Sequence, residues 1–555
     1  MAATMVKEMV GVGLEKKSGR GKWGFVLYII TNGPKVTLPA YRYALGLVMP
    51  LPVRKKMEFF LLGAASSLPL VALVSHALQP LADASRRLPP GPRPLPLIGN
   101  LLDIDKESPH RSLAALARRH GPVMSIRLGT VYAVVATSPE AAREVLQRRS
   151  ASLAARRGLD AWRVMGHDAN SVIALPPGAK WRALRNVAAA GLVGPRRLAE
   201  QAAAREGKVR ELVRRVAGAG AGGAPVPVAR EAFAAVVRVL CQGMFSQDLE
   251  AKLVEELTDV AVEASVLSGA PNVSDFYPFM AFADVQGVRR RAGQLVAWLY
   301  KLIDGQIEQR RRSRAAGETC KNDLLDVMLD MEGDDEAPEE DWVMNQEVMR
   351  GLIMELLLAS ASLSAATEWA MAELLQNPRP MKKLQQEIAS ALGTKPQMEE
   401  DDLNQLPYLQ AVINETLRLH PPVPFATGLA EAAVQVQGYN IPKGTTTFVN
   451  IWGICRDGEV WNEPEKFMPE RFLQSDINFF GTHFELVSFS AGRRICPGLP
   501  LAAKLVPLMV GSLVRHFQWT LLPEDAARSG IDMREKFGLV MSMAVPLRAV
   551  AATKI

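Results

Sequence analysis

Four cysteines in 555 residues is a small number. Cys241, Cys320, Cys455 and Cys496 lie far apart and form no C-x-x-C pair, which excludes a disulfide framework and a Cys-rich zinc site. A thiol-reducing compartment for the main domain follows. A nucleic-acid stripe is also lacking. Net charge is only +7, from 65 Lys+Arg against 58 Asp+Glu, and the basic residues are not interleaved with aromatics. Their densest run, Arg310 to Arg312 in "QIEQRRRSR", reads as the solvated end of a helix. Such a mild excess suits a membrane surface or docking to an acidic partner. No internal repeat is present.

Apolar residues are abundant: 48% of the chain is hydrophobic, ample for a large core. Residues 57–82, "MEFFLLGAASSLPLVALVSHALQPLA", have the roughly 20-residue apolar length that spans a bilayer, broken only by Glu58 and His76. A signal peptide is disfavoured, because no A-x-A-like cleavage site is well placed and the segment begins well inside the chain. Arg54, Lys55 and Lys56 precede it and Arg86 and Arg87 follow it, so flanking charge leaves its orientation nearly balanced. Residues 1–56 form an extension of unassigned role, either a leader or a stretch ahead of a true start at Met57. Its run "GFVLYII" is too short to span. Residues 83–100 are a Pro-rich hinge, including "RRLPPGPRPLPLIGN", whose stiff extended backbone would hold a globular domain at a fixed angle to an anchor.

Residues 101–555 read as one domain, mainly α with small β-sheets. "HRSLAALARRHG" is a helix with Gly121 as its C-cap. "VMSIRLGTVYAVVAT" is a strand pair around a Gly-containing turn. "AGAGAGGA", Ala217 to Ala224, is a flexible connection, and acidic "EGDDEAPEED", Glu332 to Asp341, is a loop. Asn272-Val-Ser274 matches a glycosylation sequon.

The chemistry concentrates in "FSAGRRICPG". Cys496 sits ahead of a long apolar helix, "GLPLAAKLVPLMVGSLVRHFQW", with Pro497 suited to a first helical turn. A sulfur there feels the positive end of the helix dipole, which favours a thiolate. Gly492 and Gly498 allow backbone to approach a large flat ligand, and Arg494 can pair with a carboxylate on it. The full spacing from Phe489, F-x-x-G-x-R-x-C-x-G, suits one thiolate ligating haem iron.

These residues, in "FELVSFSAGRRICPGLPLA", resemble the haem-binding loop of the cytochrome P-450 monooxygenases of the plant microsomal type, in the group that includes geraniol-hydroxylase-like enzymes. The resemblance runs from about Leu88 to the C-terminus. It implies the P-450 fold with an N-terminal membrane anchor, haem b held by Cys496, and a single-pass protein of the endoplasmic reticulum with its catalytic domain in the cytosol. In "NETLRLHPP", Glu415 and Arg418 neighbour each other on a helix. The resemblance places them in the core with Arg471 of "FMPERF", as a triad that locks the fold. Trp181 and Arg185 of "AKWRALRN" are four apart on one helix, and by resemblance reach a haem propionate beside Arg494.

Two departures from the family pattern stand out. After "LHPPVP" the family carries a basic residue before the next strand; "FATGLAEAAVQVQGY" has none, so one propionate contact is lost or passes to water. In the distal helix, aligning on "EWAMAELL" sets Leu358, Ala359, Ser360, Ala361 and Ser362 against a small residue, Gly, any residue, Asp or Glu, and Thr. Ser362 keeps a hydroxyl that can donate to dioxygen; Ala361 cannot relay a proton. A neighbouring serine or Glu368 is the alternative source.

The implied function is a haem-thiolate monooxygenase that puts one oxygen atom into a small apolar, terpenoid-like substrate, with phenolics and alkaloids still open. Electrons would come from NADPH through a flavoprotein reductase, since the chain has no Gly-rich dinucleotide fingerprint of its own. No nucleic acid is involved. Substrate-facing candidates are "GLDAWRVMGHDANSV", "PNVSDFYPF", the helix around Ala359 and "PPVPFAT". Two other readings are a haem-thiolate isomerase or dehydratase that needs no reductase, and a degenerate haem-binding protein without turnover.

Overall fold

The computed structural model describes residues 10–16, 23–29, 87–332, 343–528 and 530–554. The apolar segment 57–82 and most of the acidic loop after Glu332 lie outside these residues. Gly24 to Ile29 of "GFVLYII" fall in the strand Trp23–Ile29, which pairs antiparallel with Val10–Lys16.

Helices dominate, with small sheets at their margins, as expected. The expected strand pair is Val123–Leu128 with Val131–Ala136, closed by Gly129 at φ +60°. It belongs to a four-stranded sheet completed by Thr446–Asn450, parallel to the second strand, and Phe425–Leu429. The Pro-rich segment lies along this sheet's edge around Pro89 and Pro90 and then closes a tight turn, in which Leu95 and Gly99 exchange backbone bonds of 2.9 Å. Ser125 donates its N–H to Pro90 O at 2.7 Å and its hydroxyl to Pro89 O at 2.8 Å. A Cβ on Gly91 would lie 1.9 Å from Ser125 O, so only glycine permits this approach.

The helix Ser360–Gln376 runs through the centre, against Val228–Phe245, Pro407–Leu419 and Leu499–His516. It is rich in alanine and apolar nearly all round, as a helix buried on every side must be. Trp369 on it is wholly buried. The helix before it, Gln346–Leu358, starts on Asn345, whose side chain accepts from Val348 N. The two are separated only by Ala359, whose N–H still reaches Glu355 O at 2.9 Å. Together Gln346–Gln376 is long and apolar enough to cross a membrane, but over half of its apolar window (56%) is buried inside the protein, which identifies a core helix.

Two expectations need correction, and a third position gains a physical reason. Arg310 is not a solvated helix end. It lies near the end of Val288–Ala315, is buried, and grips Asp323 with both Nη atoms at 2.7–2.8 Å, as well as Asp326 at 2.8 Å. Ala217 to Ala219 are the last turn of the helix Ala202–Ala219, not part of a flexible connection. Asn272 of the sequon is buried and its Oδ1 caps Ser274 N at 3.3 Å, which removes it from the surface that glycosylation needs.

Candidate functional site

Cys496 is positioned by a tight loop. Its N–H donates to Phe489 O at 3.0 Å, and Ile495 N donates to Gly492 O at 3.2 Å. Buried Phe484, Leu486 and Val487 root the loop, and the half-buried Phe489 ring lies 5.3 Å from Phe479. Gly492 is required here at φ +63°. A Cβ there would stand 1.9 Å from Leu146 O, so the constraint comes from neighbouring backbone. Gly498, by contrast, would place a Cβ 3.7 Å from Cys496 Sγ and against nothing else. The helix that follows is Leu499–His516, so the first-turn proline is Pro500 and not Pro497. Burial pushes the Cys496 thiol up, while the N–H groups of Gly498 and Leu499 and the Arg185 guanidinium pull the other way. A bound cation at Sγ would complete the shift to thiolate.

Trp181, Arg185 and Arg494 are brought together as the resemblance implied. Both guanidinium carbons lie about one ring-stacking distance from the Trp181 centroid, at 5.0 Å for Arg185 and 4.9 Å for Arg494. The Trp181 indole N–H is itself committed to Val172 O at 3.1 Å, so the ring offers its faces rather than its donor. Arg185 Nη2 donates to Ile495 O at 3.0 Å, tying its helix, Ala179–Ala188, to the cysteine loop. Arg494 donates to Ala154 O at 2.7 Å, to Val172 O at 2.9 Å and to Leu175 O.

A third guanidinium, Arg156, escaped the sequence reading. It is part-buried, donates Nη1 to Ile173 O at 3.2 Å, and its Nε has no partner among the described residues. Burial pushes Arg156 down, and burial with Arg156 and Arg185 nearby pushes Arg494 down to about 9. Glu355 is the one buried carboxylate acting on this cluster; Glu431, which also acts on Arg494, is exposed. Among the described residues, guanidinium charge thus outnumbers buried carboxylate charge at Arg156 and Arg494, which fits a ligand bearing carboxylates, as haem does. In the small cavity bordered by Arg156 and Arg494, the hydroxyls of Thr447 and Ser490 are likewise without partners. The strand Phe425–Leu429 indeed carries no base, but Leu429 N bonds Ala155 O at 2.7 Å, directly beside Arg156. The cation absent from that strand is matched by one from the segment it pairs with.

On the distal side, Ser362 is part-exposed and Ser360 fully buried. Each hydroxyl bonds a carbonyl of the preceding turn: Ser360 to Leu357 O at 2.5 Å, Ser362 to Ala359 O at 2.8 Å, Ser364 to Ala361 O at 3.0 Å. Glu368 does not replace the missing acid. Its carboxyl, which burial pushes up to about 7, accepts from Leu547 N at 2.8 Å, and it lies about 9 Å further along the helix than Ser362. Two of the substrate-facing stretches also meet, for Asp160 N donates to Asp275 Oδ1 at 2.7 Å.

The Glu415–Arg418–Arg471 cluster forms as expected. Glu415 and Arg418 have no exposed side-chain surface and are joined by two bonds of 2.7 and 2.9 Å. Arg471 Nε reaches Glu415 Oε1 at 3.1 Å, and Met468 N reaches it at 2.7 Å. Arg418 also holds the carbonyls of Cys455, Pro464 and Lys466, and so pins the stretch leading to the cysteine loop.

Comparison with known proteins agrees with this arrangement. The family model for cytochrome P450 matches residues 89–542. Geraniol 8-hydroxylase of Catharanthus roseus is 40% identical over 484 residues, covering 86% of this chain and 96% of that protein. Carnosic acid synthase of Rosmarinus officinalis is 40% identical over 473 residues, with 83% and 92% covered. Geranylhydroquinone 3''-hydroxylase of Arnebia euchroma is 38% identical over 481 residues, with 85% and 95% covered. The chain belongs to the cytochrome P450 family.

Proposed function

We propose that the protein is a membrane-anchored monooxygenase that hydroxylates a terpenoid-like substrate, using O2 and electrons passed from NADPH by a flavoprotein reductase. The observation that carries this reading is Cys496 at the head of Leu499–His516, with Arg494 two residues before it and Arg185 bonded to the adjoining Ile495 O. Haem, when bound, supplies the oxygen activation and the electron relay. Cys496 Sγ would hold its iron, with Gly498 and Leu499 N–H steadying the charge. Arg185 and Arg494, both over the Trp181 ring, would hold its carboxylates together with Arg156. Phe489 would steady the loop through its carbonyl, which accepts from Cys496 N at 3.0 Å. Ser362 Oγ, which donates to Ala359 O, would have to leave that bond to act as a proton donor. The Glu415–Arg418–Arg471 cluster keeps the cysteine loop in register.

The substrate class rests on the relatives, whose names concern geraniol, geranylhydroquinone and carnosic acid. The anchor is assigned to residues 57–82 by apolar length, with residues 83–100 as hinge, residues 101–555 as catalytic domain, and the endoplasmic reticulum as location. The absence of an acid at Ala361 favours slow, poorly coupled turnover over fully efficient hydroxylation. The test is turnover of purified protein with reductase against a terpenoid panel. Product that needs both NADPH and reductase supports the reading. Conversion of an already oxygenated substrate without them would turn it to an isomerase or dehydratase. No substrate-induced change of haem spin state with any compound would turn it to a haem protein without turnover.

A further inference from the structure

The segment Asn170 to Leu175 lies between the helix Gln346–Leu358 and the arginine cluster, and its peptide groups face both ways. On the helix side stands Glu355. It accepts from Val172 N at 2.8 Å, from Ile173 N at 3.2 Å and from Ser171 Oγ. On the other side the carbonyls of the same segment serve the cluster. Val172 O accepts from Trp181 and Arg494, Ile173 O from Arg156, and Leu175 O from Arg494.

The connection is tighter than shared neighbourhood. Val172 C=O and Ile173 N–H belong to one peptide plane. That plane donates to Glu355 at one end and accepts Arg494 and Trp181 at the other. Ile173 C=O and Ala174 N–H form the next plane. Ala174 N donates to Ser171 Oγ at 2.9 Å, and that hydroxyl donates to Glu355, while Ile173 O accepts Arg156. A carboxylate on the N–H side polarises a peptide and makes its carbonyl a stronger acceptor. Each plane therefore passes the charge of Glu355 to one guanidinium.

We propose that Glu355 is a positioning residue that, through the peptide planes 172–173 and 173–174, sets the orientation and field of Arg494 and Arg156 and thereby makes the reduction equilibrium of the bound haem depend on pH. This rests on the assignment of haem to the pocket.

The groups facing Glu355 leave it as the one that titrates near neutrality. From the turn Val164–Asn170, His167 Nε2 lies 3.7 Å away, and burial pushes it down to about 4, so it stays neutral. Asp168, on the same turn, acts on His167. From Val288–Ala315 come Tyr300, pushed up to about 12 by burial, and Asp304, held low by Arg350 and Gln346 against burial. On its own helix, Arg350 is paired with Asp304 and Glu347 lies two turns back. Arg156 and Arg494 face it across the segment. Burial pushes Glu355 itself up to about 7.

The sign follows. Above that value Glu355 is negative, offsets part of the guanidinium charge and favours oxidised haem. Below it the carboxyl is neutral, the pocket is more positive and reduction is easier. The experiment is spectroelectrochemical titration of the full-length holoprotein between pH 6 and 8, with the carbon-monoxide difference spectrum recorded on the same sample. The wild type should ease toward reduction as pH falls, by about three- to tenfold in the equilibrium constant. Glu355→Gln, which keeps an acceptor but not the charge, should be flat across the range and fixed at the more reducible value. Glu355→Asp should restore the pH dependence. A wild type with an intact thiolate-type band but a flat equilibrium overturns the proposal without any variant. So does an unchanged slope in Glu355→Gln. A wild type lacking the band would instead sink the haem assignment.

Discussion

Ser362 donates its hydroxyl to Ala359 O, 2.8 Å away on the preceding turn. The hydroxyl expected at the place of the family's distal threonine is thus bonded within its own turn, and the next residue back, Ala361, has no proton to pass on. Ser360 and Ser364 are bonded to the helix in the same way. The carboxylates nearest along the chain, Glu355 and Glu368, are each engaged by backbone N–H groups elsewhere.

Poor coupling is the expected consequence. A positioned proton donor is worth roughly 10²–10⁴ in rate, and water recovers only part of that. Ala361→Asp combined with Ser362→Thr should raise product formed per NADPH consumed and lower peroxide release. Tight coupling in the natural protein, with no gain in the double variant, would show that the departure is harmless.

Glu415 carries a different kind of weight. Replacing it by Ala leaves Arg418 buried without its carboxylate, at a cost of about 3–5 kcal/mol. Denaturant unfolding of Glu415→Ala should show that loss together with reduced haem retention. Arg471 is the less buried partner, so Arg471→Ala should lose less. Equal stability of Glu415→Ala and wild type would remove the triad from the account of the fold.

Glu368 gives a pH-dependent effect of defined sign. Its folded pKa is raised to about 7 from an ordinary 4.5, so the folded state binds the extra proton between those values and loses stability as pH rises through them. Glu368→Gln keeps an acceptor for Leu547 N. It should raise Tm at pH 8, corresponding to about 2–3 kcal/mol, and change it little at pH 4.5. A Tm difference that does not vary with pH would contradict burial as the cause.

Membrane attachment is tested by deletion. Removing residues 1–82 should release the protein from alkali-washed membranes, since the apolar length of 57–82 suits a span. Unchanged alkali-resistant association would place the anchor elsewhere.

The cysteine loop was readable because its constraints are local: a turn, a helix start and a fixed spacing act within ten residues. The strand pair around Gly129 and the cap at Gly121 were readable for the same reason. Arg156 and Glu355 were not. An arginine in "LAARRG" and a glutamate on an amphipathic helix look like solvated charges until the segment 170–175 is laid between them. Arg310 misled in the same direction, because its aspartate partners are 13 and 16 residues away beyond a loop. The backbone that Gly492 must clear belongs to Leu146, remote in the sequence, so that constraint was not readable either. Such burial is a tertiary property, and periodicity along one helix does not carry it.

The central claim is that Cys496 is the protein's sole ligand to haem iron. Its most direct test is the carbon-monoxide difference spectrum of the reduced protein carrying Cys496→Ser, beside the wild type. The account predicts a thiolate-type band in the wild type and its complete loss in the variant, with the far-UV helical signal unchanged. A variant that keeps the thiolate-type band would contradict it.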